Sequence, residues 1–254
     1  GDGALAGIKV DIGAKSLASF AGETITEGLD GLRERLQNYY ENGARFAKWR
    51  AVIAIDAAGY PTRSAVEQNA HALARYAALC QEAGIVPIVE PEVLMDGRDG
   101  MHSIERCYEV TLNVLRIVFE KLYEARIVLE GMVLKPNMVI DGKKLRKASV
   151  EEVAERTLSC LKASVPAAVP GIAFLSGGQS DIEATAHLNA INAMRGHSPW
   201  QLTFSYGRAL QSEALKIWAG KAENVAKAQE AFLHRAKMNS LAAQGQWSQE
   251  LENL

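Results

Sequence analysis

Six short apolar runs punctuate the chain: GIKVD at 7–11, FAKWRAVI at 46–53, IVPIVEPEV at 85–93, GMVLKPNM at 131–138, GIAFLSGG at 171–178 and LTFSYGR at 202–208. Each is rich in Ile, Val, Leu or Phe and ends in polar or charged residues, as buried strands do. Between them, apolar residues recur at steps of three and four, the period of a helix face. Leu29, Leu32, Leu36 and Tyr39 make one stripe, and Ala70, Leu73, Ala74, Ala77 and Ala78 a second. Val110, Val114, Ile117, Val118 and Leu122 make a third, and Val150, Val153, Leu158 and Leu161 continue the pattern after Ser149. A last long helix is expected at about 224–244, with Ala226, Phe232, Leu233 and Ala236 on its apolar face. Ser149 with Glu152, and Ser180 with Glu183, read as capping boxes.

Strands that alternate with helices imply a parallel sheet joined by right-handed crossovers. Lys9, Lys48, Glu90, Lys135, Ser176 and Ser205 recur at spacings of 39, 42, 45, 41 and 29, as successive βα units would place them. No GxGxxG follows the first strand, which removes one reason to prefer a Rossmann sheet. Charged residues at several strand ends suit a (β/α)8 TIM barrel, whose sites lie at that face. Six units are visible. The expectation is therefore one barrel domain over 1–254 that holds strands three to eight, with two βα units (about 80 residues) upstream. An opening without Met that runs almost at once into a strand fits the same expectation.

Composition narrows the class. The 254 residues are 48% hydrophobic and 23% charged with a net charge of −2, ordinary for a globular protein with a sizeable core. Near-neutral charge and dispersed basic residues speak against nucleic acid, and KKLRK at 143–147 is short enough to be a solvated loop. No apolar stretch is long enough to span a bilayer, and no signal peptide opens the chain, so no membrane partner is expected. Cys80, Cys107 and Cys160 are far apart and odd in number, which fits a reduced, cytoplasmic protein.

The chemistry centres on Lys135. A charged residue inside the apolar EGMVLKPNMV run is unusual, and Pro136 biases it toward extended backbone. On a strand, Val133, Lys135 and Asn137 would share one face. Apolar surroundings make an ammonium easier to deprotonate, and the neutral amine can attack a carbonyl. A lysine snorkelling at a strand end is the alternative. Lys48 and Arg50 share a face, as do Glu90 and Glu92, and Lys9 pairs with Asp11 in IKVD. In a barrel these pairs would converge on Lys135, where a cation such as Lys48 eases loss of its proton and Glu90 could carry protons. Otherwise they form a salt-bridge network that only neutralises buried charge.

LSGGQS and FSYGRAL would follow strands seven and eight, where barrels commonly hold phosphate. Ser176, Gly177 and Gly178 can present backbone N–H groups, Gly207 gives the same freedom, and Arg208 adds a bidentate cation. Each loop taken alone could be a tight turn. LSGGQ also resembles the ABC-transporter signature, but DIGAKS lacks the spacing of the phosphate loop that reading requires. His71, His102, His187, His197 and His234 lie in separate segments without ligand spacing, so no metal is expected and all five are placed at the surface or at caps. No GxSxG elbow occurs.

Together IKVD, FAKWR, IVPIVEPE, VLKPNMV, FLSGGQS and FSYGRAL, in this order, resemble class I fructose-1,6-bisphosphate aldolases, as do GETITEGLDGL at 22–32 and NAHALARYA at 69–77. The resemblance covers nearly the whole chain. It implies an eight-stranded barrel, usually a homotetramer, working on a phosphorylated sugar with neither metal nor cofactor. It makes Lys135 the Schiff-base lysine, Glu90 the acid/base of carbinolamine dehydration and Lys48 an aid to proton transfer that holds the substrate's far end. Ser176, Gly177, Gly178, Ser205, Gly207 and Arg208 would bind the C1 phosphate, with Lys9 and Arg50 toward the C6 phosphate. The family's first two strands carry an aspartate used in C–C cleavage and serines near the C6 phosphate. They have no counterpart here, nor does the terminal tyrosine tail of many members, since the chain ends QWSQELENL. The rivals are a non-catalytic sugar-phosphate-binding fragment or scaffold, and another Schiff-base lyase such as a transaldolase. The transaldolase uses a single phosphate site, whereas Lys9 and Arg208 suggest two.

Overall fold

A computed structural model describes residues 3–56, 59–96 and 100–253; Gly1 and Leu254, the ends of the expected domain, lie outside them. The chain runs β1 (Ala6–Lys9), β2 (Gly13–Ser16), β3 (Thr24–Glu27), α1 (Leu32–Glu41), β4 (Ala44–Ile53), α2 (Arg63–Glu82) and β5 (Val86–Val93). It continues through α3 (Ile104–Glu124), β6 (Val133–Leu134), α4 (Val150–Ser164), β7 (Gly171–Phe174), α5 (Asp181–Met194) and β8 (Gln201–Phe204), and closes with α6 (Arg208–Trp218) and α7 (Val225–Ala242). The main sheet is parallel in the order β1-β4-β5-β6-β7-β8. From β4 onward each strand pairs with the next one of the main sheet and reaches it through a helix, as in a (β/α)8 barrel. Among the described residues β1 and β8 do not pair with each other.

Strand alternation separates the two faces of the sheet. Ala47, Trp49, Ala51 and Ile53 of β4 are buried, while Lys48 and Arg50, between them, are half-buried on the other face. Trp49 stacks on Tyr76 of α2 with ring centroids 5.5 Å apart. The Tyr76 hydroxyl donates to Ala47 O at 2.7 Å, and Ile88 O lies 3.1 Å away, so one helix grips β4 and β5 together. Truncating such a buried aromatic costs roughly 3–5 kcal/mol. The charged site therefore sits on the inward face of a sheet whose outer face is a packed core.

Several elements depart from the sequence reading. The GAKS segment pairs antiparallel with TITE as a hairpin, β2–β3, which lies outside the main sheet. Helix α6 begins at Arg208. On α7, Phe232 and Leu233 are exposed and Ala228, Arg235, Met238, Asn239 and Ala242 face inward. Apolar periodicity misplaces this face because its buried polar residues are paired. Arg235 donates from Nη1 and Nη2 to the Glu252 carboxylate at 2.8 Å each, and Asn239 Oδ1 accepts from Thr185 at 2.7 Å. Ser180 forms the full capping box with Glu183; Ser149 accepts from Glu152 N but shows only that half. His102 and His187 are buried, against the expectation of surface or cap positions.

Candidate active site

Lys135 follows the two residues of β6, and its backbone continues the ladder. Its N–H donates to Val89 O at 2.8 Å, and Leu175 N donates to Pro136 O at 3.1 Å. Both neighbouring strands thus hold the lysine in place. Asn137 leaves the face expected for it. Its Nδ2 donates to Thr111 Oγ1 of α3 at 3.1 Å and to Met138 O at 3.0 Å, while Oδ1 accepts from Val93 N at 3.1 Å. It buttresses the strand end from outside, a task that the run KPN leaves unsignalled.

On the inner face, register decides which charges meet. Arg50 is level with Glu90, and Lys48 with Ile88, so each cation leans two residues along the neighbouring strand to its carboxylate. Lys48 Nζ lies 3.0 Å from Glu90 Oε2, an ion pair angled away from hydrogen-bond geometry, and Lys135 Nζ lies 3.2 Å from Glu90 Oε1. The three side chains are 22%, 4% and 12% exposed for Lys48, Glu90 and Lys135, so the carboxylate is enclosed while both amines retain an opening. Arg50 Nε donates to Glu92 Oε2. Burial lowers the proton affinity of Arg50, but Glu92, with Glu90 and Asp11, more than reverses this and fixes the guanidinium as a cation. Lys9 Nζ pairs with Asp11 Oδ1 at 2.8 Å, whose Oδ2 accepts from Arg50 N at 3.2 Å. Lys9 and Arg50 thus pair with Asp11 and Glu92, while Lys48 and Lys135 share Glu90.

The Ser176–Gly178 loop needs its glycines. A Cβ at Gly177 would stand 2.8 Å from Glu92 Oε1, and at Gly178, with φ +73°, it would stand 2.8 Å from Met95 Cβ. Gly207 is different. Its φ is −93° and nothing lies within 4 Å of a Cβ built there, so it supplies open approach rather than a left-handed turn. Ser205 N donates to Phe174 O at 2.9 Å, which sets the β8 loop beside that of β7. Arg208 is exposed at the first turn of α6.

Two supports were not visible in the sequence. Arg146 donates to Glu183 Oε1 at 2.6 Å and Gly178 O at 3.3 Å. His187 Nδ1 lies 2.6 Å from Gln179 Oε1, whose amide donates to Met138 Sδ, so the imidazole is the donor. Burial, aided by the Arg146 charge, pulls the His187 pKa down to about 4, against a smaller opposing effect of Glu151. Among the described residues no group of three or more His, Cys, Asp or Glu could hold a metal ion, and no helix is long and apolar enough to cross a membrane.

The family model described as class-I fructose-bisphosphate aldolase, a glycolytic family, matches residues 1–254. A probable fructose-bisphosphate aldolase class 1 of Xanthomonas axonopodis pv. citri is 59% identical over 96% of the chain and 72% of its own length. The cytosolic fructose-bisphosphate aldolase 6 of Arabidopsis thaliana is 55% identical over 96% of the chain and 67% of its own. A Plasmodium falciparum fructose-bisphosphate aldolase, solved in complex with TRAP and a small-molecule inhibitor, superposes with a TM-score of 0.92 at 52% identity, covering 96% of this chain and 70% of that one.

Proposed function

The chain belongs to the class I fructose-bisphosphate aldolase family, and on that premise we propose that Lys135 is its imine-forming nucleophile, Glu90 its proton carrier and Lys48 their assisting cation. The function is that of the family: metal-independent, glycolytic cleavage of fructose 1,6-bisphosphate to dihydroxyacetone phosphate and glyceraldehyde 3-phosphate. One observation carries the residue assignment. A single enclosed carboxylate lies within 3.2 Å of two lysine amines.

In this reading neutral Lys135 Nζ attacks the C2 carbonyl of the open-chain ketose. Glu90, having taken the proton that Lys135 gives up to become neutral, passes it to the carbinolamine hydroxyl, which leaves as water. The resulting iminium draws in the C3–C4 bonding pair once the C4 hydroxyl loses its proton, and the aldehyde product departs. The enamine then takes a proton at C3, and hydrolysis returns Lys135 and dihydroxyacetone phosphate. Ser176, Gly177, Gly178, Ser205, Gly207 and Arg208 bind the C1 phosphate through backbone N–H groups, hydroxyls and one guanidinium. Arg50 and Lys9, with side chains 41% and 55% exposed, face the C6 end.

The family resemblance supports a homotetramer, and the relatives described as cytosolic support a cytoplasmic setting. In the same reading 1–254 is one barrel domain, whose closure takes two further parallel strands between β8 and β1.

Borohydride reduction in the presence of dihydroxyacetone phosphate tests the nucleophile. The ligand mass is expected on the peptide containing Lys135, and Lys135→Arg should abolish it because a guanidinium stays protonated. Label on Lys48 or Lys9, or none, would overturn the assignment.

A further inference from the structure

The basic run at 143–147 is an exposed loop, as its composition suggests, but one that hydrogen bonds hold in place. Asp141 holds its far end, with Oδ2 accepting from Lys147 N and Ala148 N at 2.9 and 2.7 Å, while Oδ1 accepts from Ile104 N at the start of α3 at 2.8 Å. At its near end, Lys143 N donates to Met95 O at 2.9 Å, against the residue that also backs Gly178. Arg146 then joins the run to the Gly178 carbonyl. These bonds fix the loop beside the LSGGQS turn.

The consequence is a polar cavity of about 310 Å³ lined by Lys143, Asp96, Ser176, Gly178, Gln179 and Arg208, among others. Two cations and one carboxylate face it. Among the described residues neither Lys143 nor Arg208 takes part in an ion pair. A phosphate ester carries a charge of about −2, which one guanidinium leaves half matched. We propose that Lys143 is a second phosphate-binding cation, acting with Arg208 on the phosphate at C1 of the ketose. The proposal rests on the reading that the Ser176–Gly178 and Gly207–Arg208 loops hold that phosphate. Lys143 is exposed, so its contribution is that of a hydrated point charge: modest, and sensitive to salt.

Isothermal titration of dihydroxyacetone phosphate at low and high salt tests this with Arg208→Ala, Lys143→Gln, Lys143→Glu and Lys144→Gln. Lys143→Gln should weaken binding about two- to fivefold at low salt, the scale of an exposed charge contact. Lys143→Glu should weaken it further, the deficit should shrink at high salt, and Lys144→Gln should leave the dissociation constant unchanged. Thermal melts should be the same for both Lys143 variants, since the loop is held by backbone bonds. If Arg208→Ala weakens binding while Lys143→Glu does not, or if Lys144→Gln matches Lys143→Gln, the proposal fails and the phosphate site stands. If Arg208→Ala has no effect, the phosphate binds elsewhere and both readings fall.

Discussion

Replacing Glu90 by Gln keeps the shape of the side chain and removes its charge and its ability to carry a proton. The carboxylate is 4% exposed, 3.0 Å from Lys48 Nζ and 3.2 Å from Lys135 Nζ. At an effective dielectric constant of about 20, each contact is a gross attraction of about 5 kcal/mol, a ceiling rather than a net contribution. Desolvation cancels most of it, and removing one partner of a buried pair typically costs about 3–5 kcal/mol. Lys48, 22% exposed, can rehydrate, which places Glu90→Gln near the lower end of that range. For a domain of this size about 3 kcal/mol lowers Tm by roughly 6–12 °C. The chemical loss is separate. A positioned acid/base contributes about 10²–10⁴-fold, or about 3–5 kcal/mol of barrier. At a temperature where the variant is folded, kcat should fall by that factor while KM changes little, because the phosphate loops are untouched. Rapid quenching into borohydride reads imine formation directly, and label should still reach Lys135, only more slowly. A kcat within about threefold of the parent, far less than an acid/base supplies, would refute the role of Glu90. A loss confined to KM would make it a binding residue.

Gly178→Ala places a Cβ at φ +73° and 2.8 Å from Met95 Cβ. Left-handed strain of about 1–3 kcal/mol should shift the loop, weakening dihydroxyacetone phosphate in a titration while leaving Lys135 labelling at saturating ligand intact; unchanged affinity would show that the loop does not touch the phosphate. His187 should make stability fall with acid. Its pKa is 6.5 at reference and about 4 in the fold, so above pH 6.5 it is neutral in both states and its full contribution is present. As pH drops through that window the unfolded chain takes up a proton that the folded one refuses, and about 3 kcal/mol is lost by pH 4. Urea denaturation at pH 7.5, 6 and 5 should show a shallower pH dependence for His187→Asn, and equal slopes would exclude the group.

Much of this protein is written locally. Side-chain direction follows from backbone period, so the Leu32–Leu36 and Val110–Leu122 stripes announced helices α1 and α3, and the alternation in FAKWRAVI announced which of its residues face the packed side. Lys135 was conspicuous because a charge in an apolar strand has a desolvation cost that needs a reason. The glycines of LSGGQS stood out because such a loop can present backbone N–H groups; the crowding that a Cβ would meet there became visible only in the fold.

Tertiary structure decided which groups meet. The sequence named Glu90 as the carboxylate near two lysines but left Arg50 without a partner; in the fold each cation leans two residues along from its register neighbour, so that Lys48 reaches Glu90, which Lys135 shares, and Arg50 reaches Glu92. Apolar periodicity misplaced the inner face of α7 because Arg235 is buried against Glu252, 17 residues on, a pairing that no window of one helix contains. The basic run 143–147 faces solvent as its composition suggests, but only the fold shows that Asp141 and Met95 hold it beside the Ser176–Gly178 loop. His187 looked like a surface residue until packing enclosed it beside Gln179. Local periodicity records which way a side chain points, whereas an ion pair or a buried hydrogen bond depends on strand register and helix packing, set by contacts across the whole sheet.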